Sequence, residues 1–400
     1  MKIYFLVLCM YVLYIYAIYF KRWAIDTEKI YLLAVVMPLF VYLFVKNGYR
    51  IKAGRLRVHY VFLVFFVIYM MSSLISMYNY GYVIAVKHFV YHVLPIIFAV
   101  MFGYHVMSYL SFNRIVDIYV LGAFIASAVV VLVVILSGDY LIIRFNAFDG
   151  GYMDGLFKNT LMANSNALSR MLLIGLILIL FSGCNIANKY IKLCVVIFGI
   201  LLTLSKSVIM MAVVLLLAYL FKENKDSKYW FGLSGMILIG YYMYEPILHY
   251  LDMFLQNVEE QSSTIGSFTL RPQIYLASVQ VFFDNMLFGV GAGNSNIELA
   301  ENKTLNVLMS LLNKDSVPEG HSLYLKILME GGVILFSVFS FLLYVLFKVH
   351  KNVDVSIFAI FIVFLLTGFI TDNFGETIFW FFIGVGLFRY NELCEVNINM

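Results

Sequence analysis

The strongest constraint on this chain is a recurrence. Apolar runs of roughly 20 residues follow one another, separated mostly by short polar joints. In hydrocarbon every backbone N–H and C=O must find a partner inside the segment, so such runs fold as membrane helices. Charge agrees: 12% of residues are Asp, Glu, Lys or Arg and 63% are hydrophobic, against about 25% charged residues in a soluble domain. The pattern predicts an all-α, polytopic membrane protein, one integral membrane domain over residues 1–400. About twelve spans are expected, at 3–20, 29–45, 58–77, 83–103, 114–137, 166–182, 190–204, 207–221, 229–247, 321–347, 354–371 and 374–390. Residues 190–221 are read as two helices meeting at Leu204-Ser205-Lys206-Ser207.

Orientation follows from the cations of the short loops. One set of alternate loops holds Lys46, Arg50, Lys52, Arg55 and Arg57, then Arg114, Lys189, Lys192, Lys222, Lys225, Lys228, Lys348 and Lys351. The other set holds little beyond Lys21, Arg22 and Lys29, partly balanced by Asp26 and Glu28. The first set is therefore cytoplasmic, both termini with it, and the long polar segments 138–165 and 248–320 lie outside. The first run lacks a small-residue cleavage site and is kept as a helix rather than a signal peptide. Cys9, Cys184, Cys194 and Cys394 show no metal spacing and read as unpaired packing residues. A net charge of +4 spread over loops gives no reason to expect nucleic acid.

Polar chemistry thus concentrates on the outer side. The loop 248–320 is too long for a connector, and loops of that size usually carry function. It contains an amphipathic helix from Arg271 to about Asn285, then Phe288-Gly289-Val290-Gly291-Ala292-Gly293-Asn294, whose glycines permit positive-φ backbone. The loop 138–165 ends in Asn164-Ser165-Asn166, which suits a helix cap. At 319–332 the long loop closes and a membrane helix opens, with His321 at the boundary.

His321 is the leading candidate for chemistry, because ionisable groups at a membrane boundary are costly and a neutral imidazole can accept a hydroxyl proton. The plainer reading is an interfacial histidine that caps the helix or bonds a carbonyl. Glu330 lies nine residues on, about 13 Å along a straight helix and facing elsewhere, so Glu319 or another helix is the better partner for His321. Gly331-Gly332 suits close helix packing. Arg271, Lys206 and Arg170 all map to the outer side, where three converging cations would suit a pyrophosphate; singly, each reads as a snorkelling interface residue. His88 and His92 share a face at i, i+4 beside Lys87, but no third ligand accompanies them, which leaves packing or cavity lining ahead of metal. Walker, dinucleotide-binding and G-x-S-x-G motifs are absent, and so is an Asp-rich metal motif in the outer loops.

The order of these features resembles a known family. Leu156-Phe157 through Asn164-Ser165-Asn166-Ala167 is similar to its "G-x-F … N-P-N-x-x-A" helix entry, with serine for proline. Leu202-Thr203-Leu204-Ser205-Lys206-Ser207 is similar to its "T-x-S-R-x" turn, with lysine for arginine. Arg271-Pro272-Gln273-Ile274-Tyr275 and Leu287-Phe288-Gly289-Val290-Gly291-Ala292-Gly293 resemble "R-x-x-x-W … P-x-x-G-x-G-x-G", with tyrosine for tryptophan. His321 through Gly332 resembles "H-N-x-x-L-x-x-x-x-E-x-G", with Ser322 for asparagine. This is the pattern of the O-antigen polymerase and O-antigen ligase superfamily.

The resemblance implies a GT-C-like fold in the bacterial inner membrane and a glycosyltransferase that needs neither metal nor cofactor. Its donor would be a glycan on undecaprenyl pyrophosphate, used at the periplasmic face with inversion. His321 takes the place of the family's general base, Arg271 and Lys206 of its phosphate-binding arginines, with Arg170 beside them. Glu319, Glu330, Gly289, Gly291, Gly293 and Asn166 are supporting residues, and the loop 248–320 becomes a periplasmic part of the active site. Divergence of the motifs favours the polymerase, which extends lipid-linked repeat units alongside a chain-length regulator and a flippase. The alternatives are the ligase, whose acceptor is lipid A-core, a flippase or transporter of the lipid-linked oligosaccharide, and a structural partner in an assembly complex.

Overall fold

The computed structural model describes residues 7–9, 11–12, 57–137, 165–203, 205–223, 267–302, 305 and 322–396, with the backbone alone at a few of them, including Lys206 and Arg271. Every element among these residues is helical and none is a strand. In chain order they are α1 (Arg57–Tyr80), α2 (Tyr82–His88), a π-helical turn (Phe89–Val93), α3 (Leu94–Val106), α4 (Phe112–Ser137), α5 (Ser165–Phe181), α6 (Lys189–Leu202), α7 (Lys206–Glu223), α8 (Ser267–Asp284), α9 (Ser295–Glu301), α10 (Leu323–Lys351), α11 (Val355–Ile370) and α12 (Thr377–Val396).

The apolar runs and the helices agree closely. The run at 190–221 is two helices as expected, α6 ending at Leu202 and α7 starting at Lys206. Segments within α1, α4 and α10 are long and apolar enough to cross a membrane, while α3, α5, α7 and α11 are shorter apolar helices. The expected count of about twelve also draws on 3–20, 29–45 and 229–247, which lie wholly or mostly outside the described residues. The run expected at 83–103 is continuous helix with a π turn inside it. Pro95 lies just beyond that turn; it has no N–H to give Tyr91, and the ladder widens where the bond is lost. The run expected from 374 starts as helix only at Thr377, which leaves Glu376 in the preceding turn.

One core gathers α1, α3, α4, α5, α10, α11 and α12. α3 and α12 touch backbone to side: a Cβ added at Gly384 would sit 2.1 Å from the Val100 carbonyl oxygen, the small-residue approach that membrane helices use. Aromatic rings fill the middle, with Trp380 edge-on to Phe62, Phe364 and Phe374. Outward faces stay apolar, as Leu63, Val67, Met71 and Leu74 on α1 and Leu132, Ile135 and Leu136 on α4 show. These are surfaces for lipid rather than water. A second, smaller core of Ile274, Ala277, Val281, Val290, Leu299 and Met329 binds α8 and α9 to α10.

Candidate functional site

The helix that His321 should open is broken. In α10, Gly332 has φ 60° and ψ −162°, a conformation outside the helical region. A helix needs the Val333 and Ile334 N–H groups to reach the Met329 and Glu330 carbonyls. The break forfeits both bonds, and buried backbone groups left unpaired are costly. The glycine loop replaces them. Val290 N–H donates to Met329 O and Gly291 N–H to Glu330 O, both at 2.9 Å. In return, Val333 N–H donates to Met286 O at 2.9 Å and Ile334 N–H to Leu287 O at 3.5 Å. Two donors and two acceptors freed by the break meet two acceptors and two donors of the loop.

That contact explains the glycines. Gly291 has φ 93°, and a Cβ there would meet the Ser76 backbone nitrogen at 2.5 Å. A Cβ at Gly289 would meet Met329 O at 2.4 Å, and one at Gly293 would meet the His88 ring. Gly332 itself lies against Leu287 O at 2.4 Å from its would-be Cβ. The expectation that Gly331-Gly332 serves helix packing is therefore corrected: Gly332 breaks the helix, and a loop rather than a second helix fills the gap.

Polar side chains collect around this joint. Glu330 is 1% exposed; its Oε1 accepts from Ser295 Oγ at 2.7 Å and its carbonyl accepts from Ser72 Oγ at 2.8 Å. Asn294 donates to Ser76 Oγ and to Val290 O. Tyr69 OH lies 2.7 Å from His88 Nε2, and the His88 and His92 rings stack at 4.7 Å. His88 and His92 are thus packing residues under the glycine loop, His92 also lying 3.2 Å from a Cβ placed at Gly375. Among the described residues no group of three His, Cys, Asp or Glu could hold a metal.

The turn between α11 and α12, Thr371-Asp372-Asn373-Phe374-Gly375-Glu376, was not anticipated as part of the site. It is anchored from inside: Asn373 Nδ2 donates to Phe364 O and Thr367 Oγ1, and Trp380 Nε1 donates to Phe374 O. Its two carboxylates hold two cations. Asp372 Oδ2 takes Lys326 Nζ at 2.6 Å, and Glu376 Oε1 takes both Nε and Nη2 of Arg170. Burial pushes the Glu376 carboxyl above its ordinary range, and the Arg170 charge beside it pulls the other way. The sequence did carry a signal here, namely Asp372 between two apolar runs and Glu376 inside the second, where ionisable groups are expensive.

The anticipated residues divide accordingly. Gly289, Gly291, Gly293 and Glu330 meet at one joint. Arg170 is buried one turn below the exposed Asn166, and its charge is shared with Glu376. α8 carries Arg271 near its start and sends Tyr275 to the Phe369 carbonyl at 3.4 Å; Lys206 is the first residue of α7. The side chains of Arg271 and Lys206, and all of Glu319 and His321, lie outside the described residues. So does Asn164, the position before α5. Ser322, next to His321, is described: it caps α10 by accepting from Leu325 N–H and donates to Gly368 O.

Residues 191–340 match the family model of O-antigen ligase. The matched segment runs from α6 to the middle of α10 and includes Lys206, Arg271, the glycine loop, Glu319, His321 and Glu330. The match covers 150 of the 400 residues and supports the O-antigen polymerase and ligase superfamily that the motifs resemble, whose members are glycosyltransferase-like membrane proteins of O-antigen assembly. No curated protein matches the chain.

Proposed function

We propose that this chain, as a member of that superfamily, is an O-antigen polymerase of the bacterial inner membrane. It moves a growing glycan from undecaprenyl pyrophosphate to a hydroxyl of the next lipid-linked repeat unit, at the periplasmic face. The acceptor oxygen bonds to the anomeric carbon while the bond from that carbon to the pyrophosphate oxygen breaks, so the centre inverts. The acceptor's proton goes to His321. Arg271 and Lys206 meet the charge of the leaving pyrophosphate, while Arg170 is held by Glu376. A lipid pyrophosphate is already a good leaving group, so the work left to the protein is to hold charge, orient the acceptor and remove one proton. Neither metal nor cofactor is needed for that set of tasks.

One observation carries the reading. The backbone exchange between the glycine loop and the α10 break ties the helix of Arg271 to the helix that follows His321, inside the segment that matches the family. A donor-binding cation and a base need such fixed spacing, because a misplacement of about 1 Å can cost about a hundredfold in rate. The ligase, which would pass the glycan to lipid A-core, is the second reading; the description of the matching family favours it. A flippase would move the same lipid without making a bond.

Purified protein given lipid-linked repeat units, without nucleotide sugar or added metal, should make longer lipid-linked glycans. Product only after lipid A-core is added means the ligase. Transport without product in either assay means the flippase. His321→Ala should abolish chain growth, by about a hundredfold or more for the loss of a general base, with membrane insertion unchanged; normal glycan length in that variant would rule out the base assignment.

A further inference from the structure

The two ion pairs on the 371–376 turn differ in whether they can open. Arg170 and Glu376 are 5% and 10% exposed; Nε and Nη2 of Arg170 fall on Oε1, and among the described residues Oε2 has no hydrogen-bond partner. Taking Arg170 away would leave, among the described residues, a buried carboxylate without a donor. Lys326 and Asp372 are 15% and 25% exposed. Asp372 keeps a second anchor, its Oδ1 accepting from the Phe374 N–H at 3.2 Å. If the lysine leaves, the aspartate stays in its turn and nearer to water. Lys326 also sits on a long flexible stem, with a point charge that needs no fixed fork. It is one turn past the Ser322 cap, at the end of α10 that follows His321.

We propose that Lys326 is a phosphate-binding residue of the donor site, exchanging Asp372 for the donor's pyrophosphate. The assignment rests on the polymerase reading of the same site. Asp372 is then a positioning residue: it holds the ammonium in place while the site is unliganded and competes with the anion when it arrives. No proton moves and no covalent bond changes in this exchange.

Inorganic pyrophosphate, titrated against the purified full-length protein while thermal stability is followed, tests the anion arm. The Michaelis constant for the lipid-linked donor tests the lipid arm. Lys326→Gln should weaken pyrophosphate binding and raise the donor KM about tenfold, with kcat changed less. Asp372→Asn keeps the acceptor for Phe374 and removes the competing charge, so it should tighten pyrophosphate binding by about threefold, a modest change for a partly exposed pair. Lys326→Arg should restore most of the binding and covers the case in which the glutamine variant does not fold. Lys348→Gln, at the far end of α10, should change neither quantity.

Unchanged affinity in Lys326→Gln, weaker affinity in Asp372→Asn, or an equal loss in Lys348→Gln overturns the assignment. Glycan product from the wild type with an unaltered donor KM in Lys326→Gln overturns it too, and leaves the polymerase reading standing. The stated pyrophosphate response with no product in either acceptor assay keeps the anion site and removes the polymerase reading.

Discussion

Two places in this bundle interrupt apolar helix at the same end, and they are held by different forces. At the α10 break, backbone bonds to backbone: four hydrogen bonds from residues 286–291 stand in for the lost ladder. At the α11–α12 turn, charge bonds to charge, through Lys326–Asp372 and Arg170–Glu376. A backbone joint has one geometry and fails if an atom intrudes. An ion pair has exchangeable partners and responds to whatever anion or cation comes near. The break is therefore the rigid reference of the site, and the turn is the part able to answer a ligand.

The largest effect should come from an intruding atom at the joint. Gly291→Val puts a β-branched side chain at φ 93°, with its Cβ 2.5 Å from the Ser76 backbone nitrogen. Neither the backbone conformation nor the neighbour can yield cheaply. The cost should be on the order of 4 kcal/mol, seen as loss of folded protein on extraction or a steep fall in unfolding temperature. Wild-type stability in this variant would mean that the loop can leave α10, and the contrast with the turn would collapse.

The joint shows what a sequence can and cannot disclose. The apolar runs marked helix ends to within a few residues, because lipid demands closed hydrogen bonding of every segment. The glycines of 289–293 were legible as positive-φ backbone, since only a missing side chain makes that conformation cheap. Their partner was not. Gly331-Gly332 reads equally well as a packing surface, and the choice depends on a loop about 40 residues earlier. Ser72 and Ser76 are farther still, 258 and 218 residues from the groups they meet. Hydrophobic periodicity carries no record of such pairings. Asp372 was visible as a charge between apolar runs, and Lys326 and Glu376 as charges inside the runs 321–347 and 374–390, but their pairing needed the crossing of α5, α10 and the α11–α12 turn.

A smaller effect is expected at the turn. Arg170→Met strands Glu376, whose Oε2 already lacks a hydrogen-bond partner among the described residues, so the loss should be about 3 kcal/mol. Adding Glu376→Leu removes the stranded charge and should restore most of that stability, because a buried ion pair and an apolar pair of similar size are often close in energy. Thermal unfolding of the two variants side by side decides it. A double variant no more stable than the single one would show that the pair is not coupled, and that the turn is held by Asn373 and Trp380 alone.

The smallest effect tests whether the joint is as indifferent to charge as its bonding implies. Glu298, on the short helix α9 beside the joint, accepts a hydrogen bond from the Tyr80 hydroxyl. Burial, then the charge of Glu301, raises its carboxyl above the ordinary value of 4.5. A carboxyl raised on folding favours the folded state most while it is protonated, so its contribution is full below 4.5 and is lost as pH climbs through the raised value. Glu298→Gln keeps an acceptor for Tyr80 and removes the titration. The variant should therefore gain on the wild type between acid and neutral pH, by roughly a few tenths of a kcal/mol for a partly exposed group, and match it near pH 4. Unfolding temperatures across that range measure the difference. A gain as large as the Arg170→Met loss would make charge, and not backbone pairing, the main support of the joint.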